Sequence, residues 1–170
     1  HWVGHALRSE RMAPYPWDMT YHDAWHYLGG SHNHQSQLLT SWDLLLAYKD
    51  VPSYIHTHLS EYIHDSLNMG KNYDADLVAM LTDLSSRGTL EDTFLVLMGD
   101  HGYRQGGFPV TKQGVIENNM PGLIIIPPAN FAKHHPDLYA NLKANAEMLT
   151  SMFDIHHMLR QVVNSFVSPS

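Results

Sequence analysis

The run Thr93-Phe94-Leu95-Val96-Leu97-Met98, leading straight into Gly99-Asp100-His101-Gly102, constrains the chain more than any other stretch. An unbroken β-prone run of this kind predicts a strand buried on both faces, as parallel strands are. The glycines end it abruptly and leave a carboxylate and an imidazole side by side on a tight turn. In open α/β sheets, ligand sites collect beyond the carboxyl ends of the strands, which is where Asp100 and His101 fall. Together they offer a hard oxygen and a borderline nitrogen to a divalent cation able to polarise an anionic ester. On position alone, a turn whose Asp only caps a backbone amide fits equally well.

The rest of the chain supplies elements to surround that strand. Leu38, Leu39, Trp42, Leu45 and Leu46 recur at helical spacing, and the helix should stop in Lys49-Asp50-Val51-Pro52, where the residue before proline resists the helical region. Alternation from Ser53 to Ile63 predicts a strand ending near His64, followed by a loop from Asp65 to Tyr73 and a helix from Asp74 to Leu84. Past the metal-like turn, Gly102 to Asn119 is rich in glycine with little periodicity and reads as a loop. Pro121 to Ile126 then gives a second buried strand, closed by Pro127-Pro128. Two helical stripes follow, Leu138, Leu142, Ala146 and Leu149, then Met152, Ile155, Leu159, Val162 and Val163, the second behind the capping residues Thr150-Ser151. The order points to an α/β fold, a mostly parallel sheet flanked by helices, over residues 37–170. Residues 1–36 show neither helical nor strand periodicity and read as an irregular segment completing the domain surface.

Composition narrows the function classes. With 170 residues and 44% hydrophobic content the chain can bury one sizeable core. Its formal charge of -7, with no run of Lys or Arg, argues against a nucleic-acid partner. Fourteen histidines raise the prior for a metal site without locating one. His22, His26, His32, His34, His134 and His135 sit among loop-forming or aromatic residues and are expected to be solvated or structural. With no cysteine there can be neither disulfide nor thiolate cluster. No signal peptide is visible, and Leu123 to Pro128, the longest apolar run, cannot cross a bilayer, so a membrane anchor is expected only outside these residues.

Around Asp100 the motifs resemble those of the alkaline phosphatase superfamily, in its sulfatase-like branch. Tyr73-Asp74-Ala75-Asp76 opens a helix, Arg87-Gly88 makes the turn, Asp92-Thr93 precedes the strand, and Met98-Gly99-Asp100-His101-Gly102 closes it. Gly114-Val115-Ile116-Glu117, then Met120-Pro121-Gly122-Leu123, resembles the segment in which Glu and Pro introduce the next core strand. Thr150-Ser151-Met152-Phe153-Asp154 resembles a helix start of the same proteins. The nearest likeness is to an uncharacterised sulfatase-like family of animal proteins, a domain of unknown function, which shares the elements His64-Asp65-Ser66-Leu67-Asn68 and Arg104. The likeness runs from Asp50 to Val163 and more weakly from Gly29 to Tyr48. It departs at Asn118-Asn119, where charged residues or glycine are usual, and at Lys112, which is more typical of true sulfatases.

The resemblance implies a metal-dependent hydrolase of sulfate or phosphate esters, with zinc or calcium as the divalent metal ion and an anionic ester as substrate. It also implies an extracellular or membrane-anchored ectodomain. Asp100 and His101 would be metal ligands, and His64 either a further ligand or a donor to the substrate's oxyanion. Lys112 would contact the anionic substrate, although a solvated loop lysine accounts for it as well. His156 and His157 are given a structural role, since adjacent helical residues diverge by about 100°. The Thr, Ser or cysteine-derived nucleophile of such enzymes has no counterpart here, so these residues should form a C-terminal portion, inactive alone. The alternative is a non-catalytic ectodomain that uses the same fold as a binding module.

Overall fold

The computed structural model describes residues 27–28, 31–59, 63–64 and 66–167. Two short strands, β1 (Tyr27–Leu28) and β2 (Ser31–His32), pair antiparallel and lead into helix α1 (Asn33–Ala47). The expected irregular segment over 1–36 thus falls mostly outside the described residues, and within it regular structure starts earlier than periodicity suggested. At the helix start the His32 amide donates to Gln35 Oε1 at 3.3 Å, a reach-back from the third helical position that occupies a donor ahead of the first turn. The stop comes at Ala47, just ahead of the Lys49–Pro52 stretch.

Helix α2 (Asp74–Ser86) follows a 3-10 turn over Met69–Tyr73 and lies against α1. Leu38, Met80 and fully buried Leu84 form the centre of the contact, with Trp42, Leu45, Leu46, Leu77 and Leu81 around it. On α1 these are the residues of the predicted apolar stripe except Leu39, which is exposed, and on α2 they recur at helical spacing within the predicted helix, so periodicity and packing largely agree. Asp74 and Asp76 in the first turn of α2 complement its positive end.

Residues 53–59 have no regular secondary structure, and Ile63 and His64 lie in helical conformation. Among the described residues of the stretch Ser53 to Ile63, the expected strand is therefore not formed. The alternation is real, with Ile55, Thr57 and Leu59 half-buried and His56 and His58 exposed. It serves a different purpose: the Thr57 hydroxyl hydrogen-bonds Ser41 on α1, and Leu59 packs on the α1–α2 core.

His34 is a second correction. Expected to be solvated or structural on a surface loop, it is structural but lies on α1, is 1% exposed and is the buried polar residue of the described core. Its Nε2–H donates to Asp76 Oδ2 at 2.6 Å, and the Gln35 amide donates to both oxygens of the same carboxylate at 3.1 and 3.2 Å. The Tyr73 ring meets His34 edge-on with centroids 4.9 Å apart. A buried imidazole is tolerated because its proton has a charged acceptor. The hydrogen bond from His34, then that from Gln35, and the charges of His34 and His32, hold the Asp76 carboxyl below its ordinary value against burial, which pushes it up.

Strands β3 (Leu95–Met98) and β4 (Leu123–Ile126) pair antiparallel, from Leu95 opposite Ile126 to Met98 opposite Leu123. Both were expected to be buried on each face. Instead Met98, Ile124 and Ile126 are exposed, so each strand turns apolar side chains to solvent in the described part of the fold. Among the described residues no parallel pair is formed. Between the two strands the expected loop contains a 3-10 turn at Phe108–Val110 and helix α3 (Lys112–Asn119). Thr111 caps α3 by accepting from the Gly114 amide at 3.0 Å, and Gln113 donates to Glu117 one turn on. Gly114 hid this helix from a search for apolar periodicity, and the structure needs glycine there because a Cβ would overlap the Phe108 carbonyl.

Helices α4 (Phe131–His134), α5 (Pro136–Asn145) and α6 (Met152–Val167) complete the described chain. Phe131 packs edge-on against Phe94, the residue before β3, with centroids 4.9 Å apart. The predicted α5 stripe is cut short, since Ala146 and exposed Leu149 lie past its end. The predicted cap of α6 is present: the Ser151 amide and hydroxyl both donate to Asp154 Oδ2, at 2.8 and 2.6 Å. Among the described residues no helix is long and apolar enough to cross a membrane.

Asp76→Asn should cost about 1–3 kcal/mol in urea unfolding at neutral pH, since the buried His34 loses a charged acceptor. Because the folded Asp76 carboxyl titrates below its unfolded value, its stabilisation is present above the unfolded value and lost as pH falls through the folded one. The difference between wild type and Asp76→Asn should therefore shrink on acidification below the ordinary carboxylate range, and a difference that stays constant would show that the ionised carboxylate is not the stabilising form.

Candidate functional site

The β3–β4 ladder extends one rung past the strands, where the Gly99 amide donates to the Gly122 carbonyl at 3.0 Å. Asp100 is the next residue, so the turn begins where the pairing stops. Beyond it the Gly102 amide donates to the Asn118 carbonyl of α3 at 3.2 Å. A Cβ on Gly102 would overlap the backbone of Glu117 and Asn118, so only glycine lets the turn lie this close to the helix. Arg104 Nε also donates to the Asn118 side-chain oxygen at 3.1 Å. Asn118, a departure from the family pattern in sequence, is the residue that ties the turn to α3 through both its carbonyl and its side chain. The Asn119 side-chain amide in turn donates to the Val115 carbonyl at 2.8 Å, one turn back at the helix end.

Within the turn the hydrogen bonds assign the donor atoms. The His101 ring Nδ1 is 2.7 Å from the Gly102 carbonyl oxygen. A carbonyl only accepts, so Nδ1 carries the proton, and in the neutral ring the lone pair is on Nε2. The same relation, with a backbone carbonyl fixing one ring nitrogen, orients metal-binding histidines. Asp100 Oδ1 accepts from the His101 amide at 3.0 Å, while Oδ2 lies 3.6 Å from His101 Nε2. The amide-capping role and the ligand role of Asp100 are therefore compatible, one oxygen serving each. Two donors 3.6 Å apart can both reach one cation at bonds of about 2.0–2.2 Å. Asp100 is exposed and His101 about one-third exposed, so the pair is open to solvent.

His64 is held to the same loop by a neighbour the sequence did not single out. The Gln105 amide donates to the His64 carbonyl oxygen at 3.0 Å and contacts His64 Nδ1 at 3.3 Å. Nothing in the spacing of a glutamine five residues past Asp100 points to this contact, which depends on where the chain returns. Lys112 is the first residue of α3 and exposed. His156 and His157 are exposed on α6. Among the described residues no three His, Asp or Glu side chains are gathered closely enough to hold a metal, so the expected convergence of Asp100, His101 and His64 on one ion is not formed. The residues brought together are Asp100 with His101, and His64 with Gln105.

Family comparison matches residues 15–167 to a model described as a protein of unknown function, DUF229. The chain belongs to this family. It is a sulfatase-like family, and the match spans the turn, both strands of the β3–β4 pair and all the helices from α1 to α6. No curated protein and no solved structure matches the chain.

Gly102→Ala is expected to destabilise by about 1–3 kcal/mol, because the added methyl must push the turn off α3. Chemical denaturation checks this. An unchanged midpoint would mean that the close approach of turn and helix does not contribute to stability.

Proposed function

We propose that the chain carries the metal-holding part of a sulfate- or phosphate-ester hydrolase, within the sulfatase-like branch of the alkaline phosphatase superfamily. The observation that carries the reading is the donor set of the turn: a carboxylate oxygen and an imidazole nitrogen whose other ring nitrogen is fixed by a backbone carbonyl. When bound there, a divalent cation supplies Lewis-acid polarisation of an anionic ester oxygen. Asp100 would hold it by Oδ2 and His101 by Nε2, two of the roughly four donors a closed site needs. An imidazole donor favours zinc, whereas calcium would draw mainly on oxygens. Lys112, exposed on the first turn of α3, would lend positive charge to the approach of an anionic substrate. The nucleophile would come from residues outside these 170.

The whole domain we infer is α/β, with a mostly parallel sheet flanked by helices and an extracellular or membrane-anchored setting. What supports a larger sheet is the exposure of Ile124 and Ile126 on one face of a two-stranded pair and of Met98 on the other, an arrangement marginal in water unless its apolar faces are covered.

In the intact protein, Asp100→Ala should lower hydrolysis of an aryl sulfate or aryl phosphate about a hundredfold or more. Stability should change by less than about 0.5 kcal/mol, as for other exposed side chains. Chelator should abolish wild-type turnover and zinc or calcium restore it. Turnover that survives both chelator and Asp100→Ala would end the hydrolase reading as stated. Calorimetric metal binding that requires Asp100, without turnover of either ester, would favour the binding module instead.

A further inference from the structure

We infer that Gln105 is a positioning residue that fixes His64 as a hydrogen-bond donor to an anionic oxygen and not as a metal ligand. The inference rests on the hydrolase reading for its ligand, an anionic ester, but not for its geometry. It settles which of the two roles open to His64 its surroundings permit.

The Gln105 side-chain nitrogen lies 3.0 Å from the His64 carbonyl oxygen. That contact orients the amide, because turning it over would set two carbonyl oxygens against each other. The same NH2 group faces His64 Nδ1 at 3.3 Å. With one hydrogen given to the carbonyl and the other aimed at the ring, Nδ1 must be the acceptor. In the neutral ring the proton is then on Nε2. Ligation through Nε2 would need the opposite tautomer, with an N–H at Nδ1 pointing at an N–H of Gln105. Ligation through Nδ1 would displace the glutamine. A cation is therefore disfavoured at either nitrogen, while Nε2–H is a donor of the kind that neutralises charge developing on an ester oxygen.

His101 shows the converse. Its Nδ1 faces a carbonyl acceptor, so its lone pair is on Nε2. Two histidines tied to one loop are thus set in opposite tautomers by opposite partners, Gly102 carbonyl for one and Gln105 amide for the other. One is prepared to give an electron pair and the other a proton.

Multiple-bond proton–nitrogen correlation spectra of the intact protein, labelled in the histidine rings, test this at pH about 8, where ordinary imidazoles are neutral. His64→Gln assigns the His64 signals. Wild type should show His64 with Nε2 protonated. Gln105→Glu, which presents only acceptors, should move the proton to Nδ1, and Gln105→Leu should give a mixture of tautomers. Both variants replace an exposed side chain and should fold. Zinc alone should shift the His101 ring nitrogens and leave those of His64 in place, whereas inorganic sulfate or phosphate should shift the His64 signals. A wild-type His64 protonated at Nδ1 overturns the proposal, as do signals unmoved by either variant or a zinc shift at His64 equal to that at His101. These spectra need no turnover, so a protein that hydrolyses nothing yet shows both tautomers would sink the hydrolase reading and leave the role of Gln105 standing.

Discussion

The geometry of the candidate site depends on one close approach, that of Gly102 to the carboxyl end of α3. A single backbone hydrogen bond, from the Gly102 amide to the Asn118 carbonyl sixteen residues later, joins the turn after β3 to the end of α3. It is possible only because no side chain stands between them. With Gly102 fixed, its carbonyl is fixed, and that carbonyl orients the His101 ring. A backbone contact therefore decides which imidazole nitrogen keeps its lone pair, and through it what the turn can bind. Helix α3 in turn depends on its own glycine, Gly114, for its fit against the Phe108 turn.

The second organising contact is the α1–α2 pair. Its apolar centre around Leu84 is ordinary packing, while the His34–Asp76 hydrogen bond at one end adds direction to it. A greasy interface alone tolerates sliding of one helix along the other, and a buried donor that must meet one carboxylate does not. From that unit the chain runs over α1, pinned at Thr57 and Leu59, and then to His64, which Gln105 ties to the loop after the metal-like turn.

Much of this was legible from residue types. Helices α1, α2 and α6 show their apolar stripes, strands β3 and β4 their short apolar runs, and Ser151 with Asp154 a cap. The failures each have a physical cause. Alternation over 53–59 is equally the pattern of a segment laid on a helix, since half-burial is all that periodicity records. Helix α3 is short, polar and contains glycine, and it is held by Thr111 and by contacts with the turn, not by an apolar face. His34 looked like a loop residue because its acceptor, Asp76, is forty-two positions away.

The sequence alone determined the chemistry available at the turn: an aspartate, a histidine and two glycines at a strand's end, with no cysteine in the chain. It determined the family as well, since the order of these short motifs does not depend on how they pack. Only the tertiary structure decided how that chemistry is used. Which nitrogen of His101 or His64 carries a proton depends on whether a carbonyl or an amide faces it, and those partners are set by the folded path of the backbone. The two histidines would exchange roles if Gly102 and Gln105 presented the opposite groups, and no spacing along the chain records which they present.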